Sequence, residues 1–415
     1  METVEQRYIS NNMRVQFLAS SPLENMKASL EQVLKTTPPK KSYSNRELGG
    51  LFSGYTGLAY LFLRLSAGHP DLTVMGHNLR FWAERYLDGD RGSLVLESGN
   101  CGLASEKLSF LAVLCCLTKD LGHLKRFLGD VPLLLGPYPP SRGDPFPSEM
   151  IYGRAGTLYL IRMIKQWVPE FAPCLESPTL RIAEVIMRTD DDGQGNWEWH
   201  GKRYYGAAHG EIGIITQLVL SVPSLAVELA PRLEDLLRLQ LQDGNWPSSE
   251  KKRREGKPAK LLQWCHGAPG FIYSLEALRP YFPRHQDDID FAIEKARELI
   301  WRHGILVKEP SLCHGLFGNA LRGLQTRGYG ICEANHGMWG SLICRALPCD
   351  ARREHFLALA STDSVEKVRG HDPELFAPAS YGKGWAVLLT YHASAAWAWA
   401  VCGYNTPPFL LYTDV

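Results

Sequence analysis

Cysteine is scarce in this chain, 10 in 415 residues, and no two cysteines stand in a Cys-x-x-Cys spacing. A small disulfide-stapled scaffold is therefore excluded, and the thiols read as reduced. An excess of either charge is also lacking. Lys plus Arg number 45 against 44 Asp plus Glu, for a net charge of +1, so no broad field attracts nucleic acid or anionic lipid, and no nucleic-acid partner is expected. No secretory leader is expected: Met1 to Ser20 mixes Glu2, Glu5, Arg7, Asn11, Asn12 and Arg14 with isolated apolar residues, and Glu2 speaks against N-myristoylation. The longest apolar run, Trp385 to Val401, is interrupted by Thr390, Tyr391, His392 and Ser394, which fits a buried helix and no transmembrane segment. A cytoplasmic location is expected. Strand-type alternation bounded by hairpin turns is equally scarce, which favours an all-α chain over a β fold.

What the chain does contain is apolar mass and repetition. With 45% hydrophobic, 21% charged and 10% aromatic residues, it has the composition of a globular protein. At roughly 100 to 200 residues per domain its length predicts two to four domains, unless a repeat extends one core. A short glycine phrase recurs seven times, opening at Gly54, Gly102, Gly153, Gly210, Gly267, Gly315 and Gly384, with spacings of 48, 51, 57, 57, 48 and 69 residues. Apolar runs such as Leu58 to Leu63, Leu158 to Ile161 and Ile214 to Leu220 follow the phrases. Such helices call for burial on several sides. The segments between are amphipathic, as in Asp288 to Arg302, where Ile289, Ile293, Ala296 and Ile300 share one stripe. The repeat predicts seven hairpins of an inner and an outer helix, stacked as an open superhelix or closed into a ring. Glycine at the start of each inner helix lets backbones approach where the spokes converge. Residues 46–415 read as this single repeat domain, and residues 1–45 as an N-terminal extension packing on it.

The residues just ahead of the phrases carry the chemistry. In order they are Ser53, Cys101, Tyr152, His209, His266, His314 and Lys383, and one position further back stand Cys265 and Cys313. Equivalent positions of consecutive units lie side by side, so two thiols and up to three imidazoles gather at one mouth. Cysteine is also a small buried hydrophobe and histidine a common cap, but the Cys-His pair repeats in register. Thiolate and imidazole suit Zn²⁺ in tetrahedral geometry. Four ligands, Cys265, His266, Cys313 and His314, would close the site; three would leave a position for substrate. The spacing is compatible with both.

Several strings together resemble the lanthionine synthetase C-like family: Tyr205-Gly-Ala-Ala-His209-Gly, Gly244-Asn-Trp-Pro247, Trp264-Cys-His-Gly-Ala-Pro-Gly270 and Leu312-Cys-His-Gly315, with Tyr152-Gly-Arg-Ala-Gly156 resembling the eukaryotic branch. The resemblance runs through nearly the whole chain. It implies an α/α toroid of seven helical hairpins, with Cys265, Cys313 and His314 as zinc ligands and the fourth position left for a thiol. His266 is then a neighbour. The implied reaction adds a thiol, glutathione in the eukaryotic branch, to a dehydroamino acid in a peptide or protein, with His209 transferring the proton. The dehydroamino acid arises by elimination of phosphate from phosphoserine or phosphothreonine. Arg7, in Gln6-Arg7-Tyr8, and Lys308, five residues before Cys313, resemble residues tied to that elimination.

Departures from the family pattern are local. Lys383-Gly384-Trp385-Ala386-Val387 lacks the acidic residue and the second glycine expected in the last unit, which points to different packing there. Ser148-Glu149 replaces an Asp-Glu pair, leaving Glu149 to orient His209. The basic loop Lys251-Lys252-Arg253-Arg254, with Lys257 and Lys260, reads as a solvated loop or an attractor of phosphorylated or acidic peptides. Competing functional classes are a non-catalytic glutathione-binding adaptor, a lanthionine-forming peptide cyclase, and a carbohydrate-active helical barrel. The last needs two carboxylates in one cleft, where this mouth has thiols and imidazoles. The oligomeric state is not legible in the chain.

Overall fold

The structure, a computed structural model, describes residues 7–136, 146–323, 349–378, 384–405 and 407–415. Gln6 and Lys383 lie outside the described residues. Helix α1 (Pro22–Thr36) opens on a capping box between Ser21 and Glu24, and the short α2 (Gly50–Ser53) leads into α3 (Tyr55–Gly68) and α4 (Leu79–Leu87). Next come α5 (Glu106–Thr118) with α6 (Leu121–Leu134), α7 (Arg154–Trp167) with α8 (Ala172–Arg188), and α9 (Glu211–Ser221) with α10 (Ala226–Arg238). After the short α11 (Glu250–Arg254) follow α12 (Ala268–Leu278) with α13 (Gln286–His303), α14 (Leu316–Gly323) with α15 (Cys349–Leu359), α16 (Thr362–His371) and α17 (Tyr391–Val401). Among the described residues the only paired strands are Thr73–Val74 and His77–Asn78.

Apolar periodicity decides the layer of each helix. Leu58 to Leu63 of α3 are inaccessible on every face, as are Leu158, Tyr159 and Leu160 of α7; these helices are inner. On α13 the stripe Ile289, Ile293, Ala296 and Ile300 is buried while Phe291 on the other side is exposed, and this helix is outer. The inner helices pack in chain order, α3 on α5, then α7, α9, α12, α14 and α17, and α17 packs back on α3. The result is a closed toroid of helices. At its seam the Trp385 indole donates to the Ser53 carbonyl at 3.0 Å. Helix α1 lies along α17, so the seventh inner helix takes its outer partner from the other end of the chain.

Backbone hydrogen bonds lace the loops ahead of successive inner helices into a rim. Leu51 N–H donates to Leu103 at 2.8 Å, Ala104 to Ile151 at 2.8 Å, Met150 to Ala208 at 3.1 Å, Trp264 to Cys313 at 3.0 Å and Cys313 to Leu388 at 2.9 Å. Within a unit each loop folds back on its own helix. At Gly57, Gly156, Gly213, Gly270 and Gly318 an added Cβ would stand 1.9 to 2.3 Å from the carbonyl six residues earlier, so the second glycine of the phrase is sterically required. Gly270→Ala should therefore destabilise the protein by about 2 to 3 kcal/mol through overpacking, read as a lower urea midpoint with an unchanged slope.

The second and seventh units depart from the glycine rule. Ser105 caps α5 by accepting from Leu108 N–H, and α17 begins at Tyr391 with Thr390 as its N-cap. Gly384 thus lies six residues ahead of the place the repeat assigned to it, and Thr390 occupies the cap position that Gly54, Gly153, Gly210 and Gly267 hold elsewhere. A hydroxyl residue with extended backbone serves an N-cap as well as glycine does.

The hub of the ring is filled by residues 407–415. Phe409, Leu410, Leu411 and Tyr412 are inaccessible. Asp414 accepts from Tyr60 at 3.0 Å and Tyr159 at 2.9 Å, and burial raises its carboxyl above the usual range. Arg322 donates to the Pro407 carbonyl at 2.9 Å and Gln217 to the Tyr412 carbonyl at 3.3 Å. Trp264, immediately before Cys265, stacks on Phe409 with centroids 4.7 Å apart.

Candidate metal centre

Two rim loops hold the sulfurs. Gln263 and His266 exchange backbone hydrogen bonds at 3.1 Å, making a tight turn with Trp264 and Cys265 at its tip. The turn ends at Gly267, whose φ of +105° is left-handed backbone and whose added Cβ would stand 2.2 Å from the Leu261 carbonyl. Asn245 fixes this loop from the neighbouring unit. Its amide donates to the Ala259 and Leu261 carbonyls at 3.1 and 3.0 Å, and its oxygen accepts from Ala268 N–H at 2.9 Å. The Gly244-Asn-Trp-Pro247 string is thus a clamp, with Trp246 stacked on Phe271 at 4.2 Å. The second sulfur is held between its neighbours in the ring, since Cys313 N–H donates to Leu388 and its carbonyl accepts from Trp264.

The ligating atoms of Cys265, Cys313 and His314 lie within 4.8 Å of one another, and Cys265 Sγ is 3.8 Å from His314 Nδ1. A tetrahedral zinc ion with bonds of about 2.3 Å to sulfur and 2.0 Å to nitrogen places such donors roughly 3.6 to 3.8 Å apart. The donor set suits that ion, and the Cys265–His314 separation matches it. Cys313 donates to Cys265 and holds the Cys265 thiol well below its ordinary range, while burial pushes the Cys313 thiol well above it. His266 points its ring elsewhere: it packs beside Tyr204 at 5.6 Å and His209 at 6.2 Å, and burial lowers its basicity.

Two polar residues form a line leading to the first sulfur. The buried Gln263 donates its amide to Cys265 Sγ at 3.1 Å, and Lys308 Nζ donates to the Gln263 carbonyl oxygen at 3.4 Å. Gln263 carries no signal in the sequence, because a glutamine at a turn looks like any solvated loop residue. Gln263→Leu keeps the volume and deletes the donor, so metal affinity should fall about 10- to 100-fold, measured by chelator competition with the melting curve as a folding control.

The opposite wall carries His209. Its Nδ1 stands 2.6 Å from Glu149 Oε2, and Glu149, nearly inaccessible, also accepts from the backbone N–H groups of Ile151 and Tyr152. Trp199 lies flat on the imidazole, centroids 4.1 Å apart and planes at 4°, and the Tyr152 ring lies nearly parallel to both, 5.7 Å from Trp199 and 6.3 Å from His209. With Nδ1 held by Glu149, Nε2 is the other ring nitrogen open to proton exchange. Trp199 was invisible in the sequence, since it sits in a loop outside every repeated phrase. Lys308 thus stands near the thiols through Gln263. Arg7 is tied to the residue before Lys308 by its carbonyl, which accepts from Val307 N–H at 3.2 Å, while Arg7 borders cavities lined by Lys257 and Lys260.

A family model described as lanthionine synthetase C-like protein matches residues 96–327, a span that includes Cys265, Cys313, His314, His209 and Lys308 but not Arg7. A Danio rerio protein named glutathione S-transferase LANCL1 is 28% identical over 330 residues, 72% of this chain and 73% of that protein. The Arabidopsis thaliana LanC-like protein GCL1 is 32% identical over 217 residues, 48% of this chain and 47% of its own length. Among solved structures, nisin cyclase superposes with a TM-score of 0.54 at 14% identity, covering 92% of this chain and 95% of that one, which shows the same toroidal fold.

Proposed function

Since this chain belongs to the lanthionine synthetase C-like family, we propose that it is a zinc-dependent transferase that adds the thiol of glutathione to dehydroamino acids in peptides or proteins. The observation that carries this reading is the convergence of two thiols and an imidazole within 4.8 Å in the mouth that also holds the His209–Glu149 pair. Cys265, Cys313 and His314 would hold the zinc, which would supply the charge that lets a thiol bind as its thiolate.

The protein's own groups account for the proton. Glu149 holds His209 with Nδ1 donating, so Nε2 is the exchanging atom. His209 takes the proton that the thiol loses. As the new S–C bond forms at the β-carbon, the π electrons of the dehydroamino acid move onto the carbonyl, and His209 returns the proton to the α-carbon. Trp199 covers one face of the imidazole and keeps water from that side. When the dehydroamino acid is generated from phosphoserine or phosphothreonine, Lys308 beside Gln263 and Arg7 at the rim neutralise the departing phosphate.

The test is direct. A dehydroalanine peptide incubated with glutathione and zinc-loaded protein should gain the mass of glutathione, and dialysis against chelator should remove the activity until zinc is restored. Glutathione binding without adduct would leave an adaptor instead.

A further inference from the structure

We infer that Asn11 and His355 are a positioning pair: they clasp residues 7–18 across two outer helices and thereby keep Lys308 aligned on Gln263 and Cys265. What the alignment serves rests on the transferase reading; the clasp itself does not. The chain of contacts begins at the thiols. Gln263 donates to Cys265 Sγ, and Lys308 donates to Gln263. Lys308 closes a segment, residues 305–308, that is held from both sides. On one side Ile9 N–H donates to the Ile305 carbonyl at 2.7 Å and Val307 N–H to the Arg7 carbonyl at 3.2 Å; on the other Phe376 N–H donates to the Val307 carbonyl at 2.7 Å, and Lys308 pairs with Ala377. The N-terminal segment therefore braces the backbone that carries Lys308.

The attachment of that segment is centred on one buried ring. His355 of α15 is inaccessible, and both of its nitrogens are taken by residues 11 and 16. Gln16 N–H donates to Nδ1 at 2.9 Å; a backbone N–H can only donate, so Nδ1 carries no proton. Asn11 donates its amide to the Trp301 carbonyl of α13 at 2.8 Å. That turns its oxygen to His355 Nε2 at 3.0 Å, the nitrogen that holds the proton. Trp301 itself packs against the imidazole with centroids 5.5 Å apart. Asn11 thereby joins α13 to α15, and Leu18 N–H adds a bond to Glu354 at 3.2 Å.

The pair closes only on a neutral imidazole, since a proton on Nδ1 would face the Gln16 N–H, donor against donor. Among the described residues, the charged groups nearby have other partners. Glu354 accepts from Leu18, Glu298 of α13 takes Arg352 and Arg302 at 3.4 and 3.5 Å, and Arg353 donates to the Tyr404 carbonyl at 2.9 Å. On the segment Arg14 is exposed, and His303 stacks on Tyr8 at 4.3 Å. Neutral groups occupy both nitrogens of His355, and burial lowers its basicity. Release of the segment uncovers the ring and restores its ordinary value near 6.5. The clasp is thus complete above about pH 6.5 and is lost as pH falls from there through the lowered value.

Hydrogen exchange read by mass spectrometry on the full-length zinc-loaded protein tests the clasp. Corrected for intrinsic rates, exchange in residues 7–18 should speed up about tenfold between pH 7.5 and 5.5, the worth of one unit of pKa, while α3 stays protected. His355→Gln places an acceptor and a donor where the ring nitrogens stood, so its segment should stay closed at both pH values. Asn11→Leu should exchange fast at both. At pH 7.5 chelator competition should show zinc bound about three- to tenfold more weakly by Asn11→Leu, a smaller loss than for Gln263→Leu, and as tightly as wild type by His355→Gln. A purely structural role would lower the melting curve and spare the metal. An acid response that persists in His355→Gln, a segment that stays closed in Asn11→Leu, or unchanged zinc affinity once that segment is released would overturn the proposal. If the exchange and zinc results hold but no glutathione adduct forms, the transferase reading fails and the positioning of Lys308 stands.

Discussion

Cys313→Ala is expected to strip the protein of zinc and of thiol addition together. The side chain is one of three donors, and the two that remain, Cys265 and His314, cannot define a tetrahedral site. The loss of affinity should exceed the roughly 10- to 100-fold that outer hydrogen-bond partners are worth, leaving protein purified in ordinary buffer metal-free by elemental analysis. The fold should survive. Cys313 holds its place in the rim through its N–H to Leu388 and its carbonyl to Trp264, and alanine keeps both bonds. Turnover by a zinc-free variant would refute the mechanism.

His209→Ala is expected to separate chemistry from metal. His209 is outside the donor trio, so zinc content should be unchanged while adduct formation falls about 10²- to 10⁴-fold, the usual worth of a positioned acid–base group. Glu149→Gln should act more mildly on the reaction and more broadly on the fold. It replaces the carboxylate that holds Nδ1 at 2.6 Å and weakens the buried acceptor for Ile151 and Tyr152 N–H, a cost of about 1 to 3 kcal/mol. Steady-state mass spectrometry and a urea titration distinguish the two effects. Unchanged adduct formation by His209→Ala would remove it from the mechanism.

The stack of helical hairpins was legible because its repeating unit is written in glycine, while ring closure came only with the family resemblance. A helix that must start hard against a loop folding back on it has no room for a side chain, and that steric demand recurs at Gly57, Gly156, Gly213, Gly270 and Gly318. Where a different residue meets the same demand the text misleads: Ser105 and Thr390 cap by hydrogen bonding or extended backbone, and the seventh onset was placed six residues early. The pairing of α1 with α17 has no local signal, because it joins segments more than 350 residues apart.

The candidate site divides along the same line. The repeat register brought Cys265, His266, Cys313 and His314 to one mouth, and the resemblance singled out Cys265, Cys313 and His314, whose donor atoms lie within 4.8 Å of one another. Glu149 was named only as the carboxylate left after a substitution, and the structure sets it on His209. Gln263, Asn245 and Trp199 act through contacts between a loop and a neighbouring unit. Residues of those types are common in any loop, so nothing short of coordinates separates them from solvated positions.

The plug in the hub gives the molecule an order of assembly. Asp414 meets Tyr60 across 354 residues of chain, and Trp264, the pedestal under Cys265, rests on Phe409. Inner helices can pair with their neighbours as they leave the ribosome, but the centre stays hollow until residues 407–415 have been made, and such distant contacts form slowly. Until that keystone drops in, the thiols stand on an unsupported floor, so metal capture should follow closure of the hub.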